Sequence, residues 1–578
     1  MRKQYDKYLW ILLGICIVSL IIFLGNALFN TKGEPREAIV AVSMLKYGNW
    51  ILPVNNGVDI AYKPPFFHWC IALLSLIQGH VSEFTSRLPS ALALTAMVIA
   101  GYKFYAKRRS AHIAFLACLV TLTSFEIHRA GTNCRVDMML TAFMVIALYR
   151  LYKWGENGLR GVPFVAILCM SGAFLTKGPV GVLLPCLVTA VFLWIRGVHF
   201  VKLSYTFAIV AIGSCVLPVC WYVAAYIQGG DTFFQLVYEE NVLRFLGKMS
   251  YSSHDKPVSY NFLTLLAGYV PYTLMIVISL FALKYKKPTG TVKTWLHKLS
   301  HYIKNMDDAR LFSLLSIVII FVFYCIPKSK RSVYLLPIYP FVAYFIAEYI
   351  VYLVRRHNSV IRVFGNMLSE IYFLLLAMLI AVRTGLVPET IFSGKHAAEN
   401  IAQMNALATA ELGILQITVI ALPVIAGFIF IRLRKRGGSA QVYSMLGIIF
   451  AIFLSLDGFY QPAVLNIKSD KPVALKINDI VGDGRIYSYR DEPKSNDMMR
   501  SFTINFYLND RVVPFDAVNP ESGYVISGNN DIDVFKQTYP DYQVTEVADF
   551  NHKSCDDKKM LHLYKVAKTS VTDNGATR

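Results

Sequence analysis

The sequence has 578 residues, of which 55% are hydrophobic and 16% charged, with a mean hydropathy of +0.46. A soluble protein carries about a quarter charged residues, so this composition excludes an ordinary soluble enzyme. The formal net charge of +20 fits basic cytoplasmic loops of a membrane protein, and we expect no nucleic-acid partner. The ten cysteines lie mostly in apolar runs, so they predict neither a disulfide framework nor a zinc site.

Repeated apolar runs predict a polytopic α-helical membrane protein, because each approaches the roughly 20 residues that cross a bilayer. The first run, 8–29, follows a short basic N-terminus and is predicted to be a retained signal anchor with a cytoplasmic N-terminus. The next apolar piece, 66–78, is short for a crossing. If it is an interfacial helix, the basic cluster 107–109 falls on the cytoplasmic side, as the positive-inside rule requires.

With that choice the remaining runs alternate across the membrane down to the C-terminus. Thirteen crossings are predicted, at 8–29, 88–104, 111–127, 136–153, 162–176, 179–196, 204–227, 260–283, 311–326, 333–354, 364–386, 411–431 and 441–460. The basic stretches 284–304 and 432–436 are then cytoplasmic. The C-terminus falls on the side of the membrane opposite the cytoplasm.

From about Gln461 the composition becomes that of a small soluble domain. We therefore predict a membrane domain over 1–460, with a first non-cytoplasmic loop over 30–87, and a non-cytoplasmic α/β domain over 461–578. Strand-like alternation covers 484–489, 501–508, 523–527 and 560–566, and helical patterns cover 471–481 and 531–538. The tail after Lys568 is predicted to be disordered.

Ionisable residues at the non-cytoplasmic ends of the spans need a reason beyond the positive-inside rule. They are Glu34, Arg36, Glu37, Lys63, His128, Arg129, Arg135, Asp137, Lys177, Glu239, Glu240, Arg244, Lys328, Lys330 and Arg331. Cations beside a few acids suit a phosphate leaving group on a lipid, because they neutralise the charge that develops as the sugar–oxygen bond breaks. A carboxylate would accept the proton of the incoming acceptor. The pattern predicts sugar transfer from a polyprenyl phosphate.

Each of these residues also has a structural interpretation. Glu37 could be an acid that favours a helix N-terminus, and Lys63 could contact lipid headgroups. Arg135 and Asp137 could form an ion pair that closes a loop, and the cations at 328–331 could be lipid anchors. Lys177 in a Gly-Pro hairpin is the hardest to explain as a snorkelling lysine.

Several short motifs follow one another along the first 340 residues. They are Gly33-Glu34-Pro35-Arg36-Glu37-Ala38, Gly48-Asn49-Trp50-Ile51-Leu52-Pro53, Tyr62-Lys63-Pro64-Pro65, Arg135-Val136-Asp137-Met138, Leu175-Thr176-Lys177-Gly178-Pro179, Glu240 with Arg244, and Ser329-Lys330 followed by Tyr334-Leu335-Leu336-Pro337. Together they resemble the lipid A aminoarabinose transferases, C-type glycosyltransferases related to protein O-mannosyltransferases. The resemblance implies an undecaprenyl-phosphate-linked donor, inversion at the anomeric carbon, thirteen spans, a periplasmic site and a small periplasmic C-terminal domain.

The chain departs from that family at three positions. The family usually has Asp-Glu where this chain has Gly33-Glu34, so Glu34 takes the place of the acid pair. The lipid A branch often has Glu at the position of Tyr62 and His at the position of Asn241. Both positions are associated with metal in that branch, so no metal site is predicted here, although a divalent ion stays open as a cofactor.

These observations give one hypothesis for the site. Glu34 and Asp137 would be catalytic, and the donor phosphate would be bound by Lys63, Arg135, Lys177, Lys330 and Arg331. Glu37, Glu240 and Arg244 would contact the acceptor or hold its loop. The expected partners are the polyprenyl-phosphate sugar, membrane lipids and an acceptor that is lipid A, another envelope glycan or a protein; a monomer is expected.

Two rival classes remain. A polytopic transporter or flippase would predict inverted repeats and charges near span centres, whereas the acids here cluster at one face. An inactive membrane scaffold that binds a partner through its C-terminal domain would leave the paired acids and cations unexplained.

Overall fold

The computed structural model describes residues 2–248, 255–284, 291–491 and 501–569. The chain forms two compact units, one of Met1–Asn26, Lys63–Phe67 and Arg87–Val464, the other of Ala27–Tyr62, His68–Ser86 and Leu465–Arg578. Most of the predicted first loop therefore groups with the C-terminal part of the chain. The predicted boundary between residues 460 and 461 stays a prediction.

The first unit is a helical bundle. Each predicted span overlaps a helix or a bent helix pair, although the first span, 8–29, is helical only up to Leu20. The helices of the unit are Arg2–Leu20, Glu83–Arg108, Ala111–Leu122, Phe125–Gly131, Val136–Glu156, Phe164–Lys177, Val180–Ile195, Phe200–Tyr238, Arg244–Leu246, Ser259–Gly268, Tyr272–Ala282, Val292–Lys304, Asp308–Cys325, Tyr339–Arg356, Asn358–Arg383, Ala397–Thr409, Ile414–Leu433, Gly438–Ser455 and Gln461–Leu465, with shorter turns at Glu239–Leu243, Ser332–Ile338, Glu389–Ile391 and Leu456–Tyr460. The first four residues of Glu83–Arg108 and the last of Gln461–Leu465 belong to the second unit.

Among the described residues, seven helices are long and apolar enough to cross a membrane, or nine if each of two bent pairs counts as one span. The bends are 73° between Ala111–Leu122 and Phe125–Gly131, and 96° between Ser259–Gly268 and Tyr272–Ala282. The prediction of a polytopic helical membrane protein is confirmed. The number thirteen stays a prediction, because helices such as Phe164–Lys177, with 14 residues, are shorter than a straight crossing needs.

The helix Phe66–Gln78 has 13 residues, which corresponds to a length of about 20 Å. The hydrocarbon core of a bilayer is about 30 Å thick. The length is therefore compatible with the predicted interfacial placement, which stays a prediction.

The second unit contains a five-stranded mixed sheet. In spatial order its strands are Val512–Pro514, Ile486–Ser488, Ser522–Ser527, Met560–Lys568 and Tyr542–Lys553. The first three strands pair in parallel and the last three are antiparallel. The other elements of this unit are the helices Pro35–Tyr47, Phe66–Gln78 from His68 onward, Lys471–Val481, Phe502–Tyr507, Phe515–Val518 and Asn529–Thr538, the turn Asn466–Lys468, and the short antiparallel pair Val54–Asn55 and Asp59–Ile60.

One predicted strand is wrong. The segment 501–508 forms the helix Phe502–Tyr507, because four consecutive residues from Thr503 to Phe506 are buried rather than every second one. Ile504 and Leu508, four residues apart, join the apolar core of the sheet. Phe506 packs against Phe29 of the first loop, with ring centroids 4.9 Å apart. Most of the tail predicted to be disordered, 570–578, lies outside the described residues.

Candidate functional site

A tight helical hairpin in the first unit presents Lys177. The helix Phe164–Lys177 ends at this residue, and Gly178 follows with φ +100°, a conformation that side-chain-bearing residues rarely adopt. A Cβ at Gly181 would lie 2.5 Å from the Cβ of Ala173, so a glycine is needed for the two helices to pack this closely. The hairpin thereby fixes the backbone from which the Lys177 side chain extends.

Lys177 forms an ion pair with Asp137, which lies in the first turn of the helix Val136–Glu156. The lysine Nζ also lies 4.5 Å from the centroid of the Tyr334 ring, a cation–π geometry. The charges of Arg135 and Arg331 act on the same carboxylate. The structure therefore brings together one predicted acid and three of the predicted phosphate-binding cations.

Lys330 extends this cationic cluster and is the most buried of its residues, at 5% exposure. Its Nζ donates a hydrogen bond to the backbone carbonyl of Pro327 at 2.5 Å. Across the described parts of the chain, neither Lys330 nor Arg331 makes an ion pair with a carboxylate within 4.0 Å. A buried cation without a counter-charge is costly, and a bound anion would offset that cost.

Glu240 and Arg244 lie beside the Lys177 hairpin. They form an ion pair at 2.7 Å within the turn Glu239–Leu243 and the residue after it. Asn241, from the same turn, faces Gly178, since a Cβ at that glycine would lie 3.2 Å from Asn241 Oδ1. The two residues predicted to contact the acceptor or hold its loop are thus neighbours of the cationic cluster.

Lys63 is half-buried and directly precedes the two prolines that lead into the helix Phe66–Gln78. Phe66 packs edge-on against Phe143, with ring centroids 5.2 Å apart. Phe143 belongs to the helix that starts beside Asp137. The segment that carries Lys63 therefore packs on the helix that carries Asp137. The role of Lys63 in binding the donor phosphate stays a prediction.

Glu126 was missed by the sequence reasoning. Its buried carboxylate accepts two hydrogen bonds of 2.8 Å from the Arg129 guanidinium and one of 2.8 Å from the Ser332 hydroxyl. Ser332 follows Arg331 directly, so Glu126 fixes the backbone next to that cation. The signal available in the sequence was the acid three residues before Arg129 at the start of a helix.

The loop acids lie in the second unit. Glu34 is 5% exposed and directly precedes the helix Pro35–Tyr47 without capping it through its side chain. Glu37, in the first turn, is also buried, and its Oε2 lies 3.0 Å from Nε2 of the buried His68. Arg36 contacts the other oxygen of Glu37 at 3.3 Å. His68 was missed, although a histidine in an otherwise apolar helix was a visible signal.

The metal-associated positions carry Tyr62 and Asn241. The amide nitrogen of Asn241 already donates to the Val237 carbonyl at 3.0 Å, and phenol and amide groups are weak ligands beside carboxylate and imidazole. Among the described residues, no three His, Cys, Asp or Glu side chains cluster closely enough to hold an ion. The residues present at these positions do not fit a divalent metal.

Comparison with known proteins places this geometry in context. Residues 62–222 match the family model described as dolichyl-phosphate-mannose-protein mannosyltransferase. An uncharacterized protein of Aquifex aeolicus is 28% identical over 353 residues, which cover 60% of this chain and 64% of that protein. Undecaprenyl phosphate-alpha-4-amino-4-deoxy-L-arabinose arabinosyl transferase 1 of Proteus mirabilis is 25% identical over 358 residues, which cover 60% of each chain. Both matches span less than two thirds of the relative.

The fold has a counterpart among solved structures. The crystal structure of ArnT from Cupriavidus metallidurans bound to undecaprenyl phosphate superposes with a TM-score of 0.69 and covers 99% of both chains at 18% sequence identity. The chain therefore shares the ArnT fold. The predicted resemblance to the aminoarabinose transferases and protein mannosyltransferases is confirmed.

Proposed function

We propose that the protein is an integral membrane glycosyltransferase that moves a sugar from an undecaprenyl-phosphate donor to an acceptor at the periplasmic face of a bacterial inner membrane. The observation that carries the proposal is the cationic cluster of Arg135, Lys177 and Arg331 around the carboxylate of Asp137, together with the buried Lys330 that directly precedes Arg331. Four cations against one acid leave a net positive charge in a largely buried place. A lipid-linked phosphate has the complementary charge and an apolar tail suited to a membrane protein.

In this reaction the cationic cluster stabilises the leaving group. When the anomeric carbon–oxygen bond breaks, its electron pair stays on the phosphate, which leaves as polyprenyl phosphate with an added negative charge. Prepositioned cations stabilise that charge, and more strongly in a site of low dielectric constant than in water. The acceptor attacks the anomeric carbon from the opposite face, so the configuration inverts.

The acceptor must also lose a proton. Glu34 is the proposed base, because it is a buried carboxylate at the start of the helix Pro35–Tyr47, in the motif where the resembling family carries its acid pair. Asp137 is already paired with Lys177, which favours a role in orienting that cation over proton abstraction. Glu37, held by His68, supports the turn that carries Glu34.

The name of one relative supports a proposal for the donor sugar. The Proteus mirabilis transferase is named for undecaprenyl phosphate-linked 4-amino-4-deoxy-L-arabinose, and we propose a sugar of this kind and an acceptor that is lipid A or another envelope glycan. A protein acceptor is the second candidate, because the matched family model describes protein mannosyltransferases. Thirteen spans, a cytoplasmic N-terminus and a periplasmic C-terminal α/β domain complete the proposed topology.

The base assignment is tested with purified protein in liposomes that contain undecaprenyl-phosphate-linked aminoarabinose and lipid A. Mass spectrometry of the lipids should show a product larger by one sugar residue for the wild type. Glu34→Gln keeps the shape of the side chain but lowers its basicity, so we expect at least a 100-fold slower transfer with an unchanged thermal unfolding temperature. Transfer by Glu34→Gln at the wild-type rate would refute Glu34 as the base.

The acceptor is tested in the cell. Mass spectrometry of lipid A, envelope glycans and envelope proteins from a deletion strain should reveal one class that has lost a sugar mass. Loss from proteins alone would favour the second candidate, and no loss from any class would contradict the proposed function.

A further inference from the structure

The linker 284–304, which joins the helices Tyr272–Ala282 and Asp308–Cys325, is unusually basic. It contains no Asp or Glu and six lysines, at 284, 286, 287, 293, 298 and 304. Residues 286 and 287 lie outside the described part of the chain, whereas the helix Val292–Lys304 lies within it. None of these residues has a role in the proposed sugar transfer.

This helix has two distinct faces. Successive residues turn by about 100°, which brings Leu296, Leu299 and Tyr302–Ile303 to one side and Lys293, His297 and Lys304 to the other. No described part of the chain covers the apolar side, since Leu296 is 53%, Leu299 39% and Tyr302 62% exposed. Water contact along a whole apolar face is unfavourable, so this face has a partner.

Hydrogen bonds fix the end of the helix to the bundle. The Arg196 guanidinium donates to the carbonyl of Lys304 at 3.0 Å and to that of Met306 at 2.6 Å, and it pairs with Asp308 at 2.7 Å. Arg196 directly follows the apolar helix Val180–Ile195, and Asp308 begins a helix that is long and apolar enough to cross a membrane. The C-terminal end of the amphipathic helix is therefore held at the level where membrane helices end.

We propose that the helix Val292–Lys304 lies on the bilayer surface, with Leu296, Leu299 and Tyr302 at the acyl boundary and its lysines on anionic phospholipid headgroups. A basic amphipathic helix of this kind binds lipid through apolar burial together with attraction to anionic headgroups. A second copy of the chain is a poor partner, because two such helices would bring like charges together. The proposal requires a membrane protein but does not depend on glycosyl transfer.

The test compares hydrogen exchange of the full chain in nanodiscs of phosphatidylcholine alone and in nanodiscs with one third phosphatidylglycerol. Because anionic headgroups attract the lysines of this helix, amides of 292–304 should exchange about ten-fold more slowly with phosphatidylglycerol. The triple variant Lys293→Glu, Lys298→Glu and Lys304→Glu should lose that difference. The control Lys536→Glu, Lys553→Glu and Lys565→Glu changes the net charge equally at exposed sites elsewhere and should keep it.

A second variant tests the apolar face. Leu296→Ser with Leu299→Ser should speed exchange of 292–304 in both kinds of nanodisc, because lipid burial is lost while the lysines remain. Equal exchange of wild-type 292–304 with and without phosphatidylglycerol would overturn the proposal. So would protection that rises with protein concentration or appears only after a soluble protein is added, since either would mean that another protein covers the face.

Discussion

Asp137 and Lys177 come from two different helices and share one ion pair in the candidate site. Only 28% of the lysine side chain and 7% of the aspartate side chain are exposed. Breaking a largely buried pair leaves one charge without its partner, which costs more than the pair contributes as a whole. The two residues should therefore act as a unit.

A double-mutant cycle tests this coupling. Asp137→Asn and Lys177→Met should each raise the KM for the polyprenyl-phosphate donor, because Asp137 orients Lys177 and Lys177 contacts the phosphate. The double variant should be less impaired than the sum of the single effects, with a coupling of about 0.5–3 kcal/mol in kcat/KM. Strictly additive effects would mean that Asp137 acts elsewhere.

The buried carboxyl of Asp556 makes the stability of the second unit depend on pH. Burial, and secondarily the neighbouring Asp470 and Asp557, raises its pKa to about 7, although Thr503 donates to both carboxylate oxygens at 2.9 and 2.6 Å. The unfolded chain has the ordinary pKa of 3.8. Between pH 3.8 and about pH 7, unfolding releases a proton from Asp556, so the free energy of unfolding falls as pH rises. Above about pH 7 this loss of stability is complete.

Removal of the Asp556 charge should abolish the loss of stability at high pH. At 1.36 kcal/mol per pH unit, the difference corresponds to about 4 kcal/mol at most, so Asp556→Asn should stabilise the second unit at pH 8 and much less at pH 4. Pulse proteolysis of the full chain, followed through fragments from 501–569, measures this. Exposed Asp541→Asn is the control, and a wild-type pH dependence in Asp556→Asn would contradict the assignment.

At the scale of elements, Asp510 joins three segments of the second unit. Its carboxylate accepts hydrogen bonds from Ser43 Oγ at 2.9 Å, the backbone N–H of Asn56 at 2.8 Å and Asn505 Nδ2 at 2.8 Å. Ser43 lies in the helix Pro35–Tyr47 that follows Glu34. Burial raises the pKa of Asp510, and these three donors oppose the rise. The C-terminal part of the chain thus holds the helix of the loop acids.

Asp510→Ala should loosen that helix. Each buried donor left without an acceptor costs about 1–3 kcal/mol, so amides of 35–47 should exchange faster and sugar transfer should slow through kcat. Asp510→Asn, which retains one acceptor oxygen, should recover part of both losses. Asp516→Ala, which removes an exposed carboxylate bonded to Tyr539, is the control. Unchanged exchange of 35–47 in Asp510→Ala would show that the loop is held by other contacts.

The sequence predicted elements well where one periodicity dominated. Each predicted span overlaps a helix or a bent helix pair, because long apolar runs have few alternatives to helix. The segment 501–508 was predicted to be a strand because burial on both sides gave it the composition of one. Only the tertiary contacts of Ile504 and Phe506 select a helix. The long strand Tyr542–Lys553 was missed because two bulges interrupt its alternation.

The site was predictable as a set of charges but not as pairs. Four charged residues stood out because membrane proteins rarely keep charges at such positions: Arg135, Asp137, Lys177 and Arg331. The structure places the three cations around the carboxylate of Asp137. The partners Glu126 and His68 depend on contacts between segments distant in the sequence. No local pattern encodes such contacts.

At the scale of the whole molecule, one kind of chemistry explains the cationic cluster of the membrane unit. Among the described residues, neither Lys330 nor Arg331 has a carboxylate within 4.0 Å, although the charge of Arg331 acts on Asp137. Lys328, two residues before Lys330, is exposed. This short stretch therefore supplies both the critical cations and a matched control. The central claim is that the buried cations bind the phosphate of a polyprenyl lipid.

Equilibrium binding of radiolabelled undecaprenyl phosphate and of uncharged undecaprenol to the purified protein tests that claim most directly. Each charged hydrogen bond contributes about 1.5–3 kcal/mol, so Lys330→Ala with Arg331→Ala should weaken undecaprenyl phosphate binding at least ten-fold. Lys328→Ala should leave it unchanged, and neither variant should alter undecaprenol binding. Wild-type affinity of the double variant for undecaprenyl phosphate, or an equal loss for both lipids, would contradict the account.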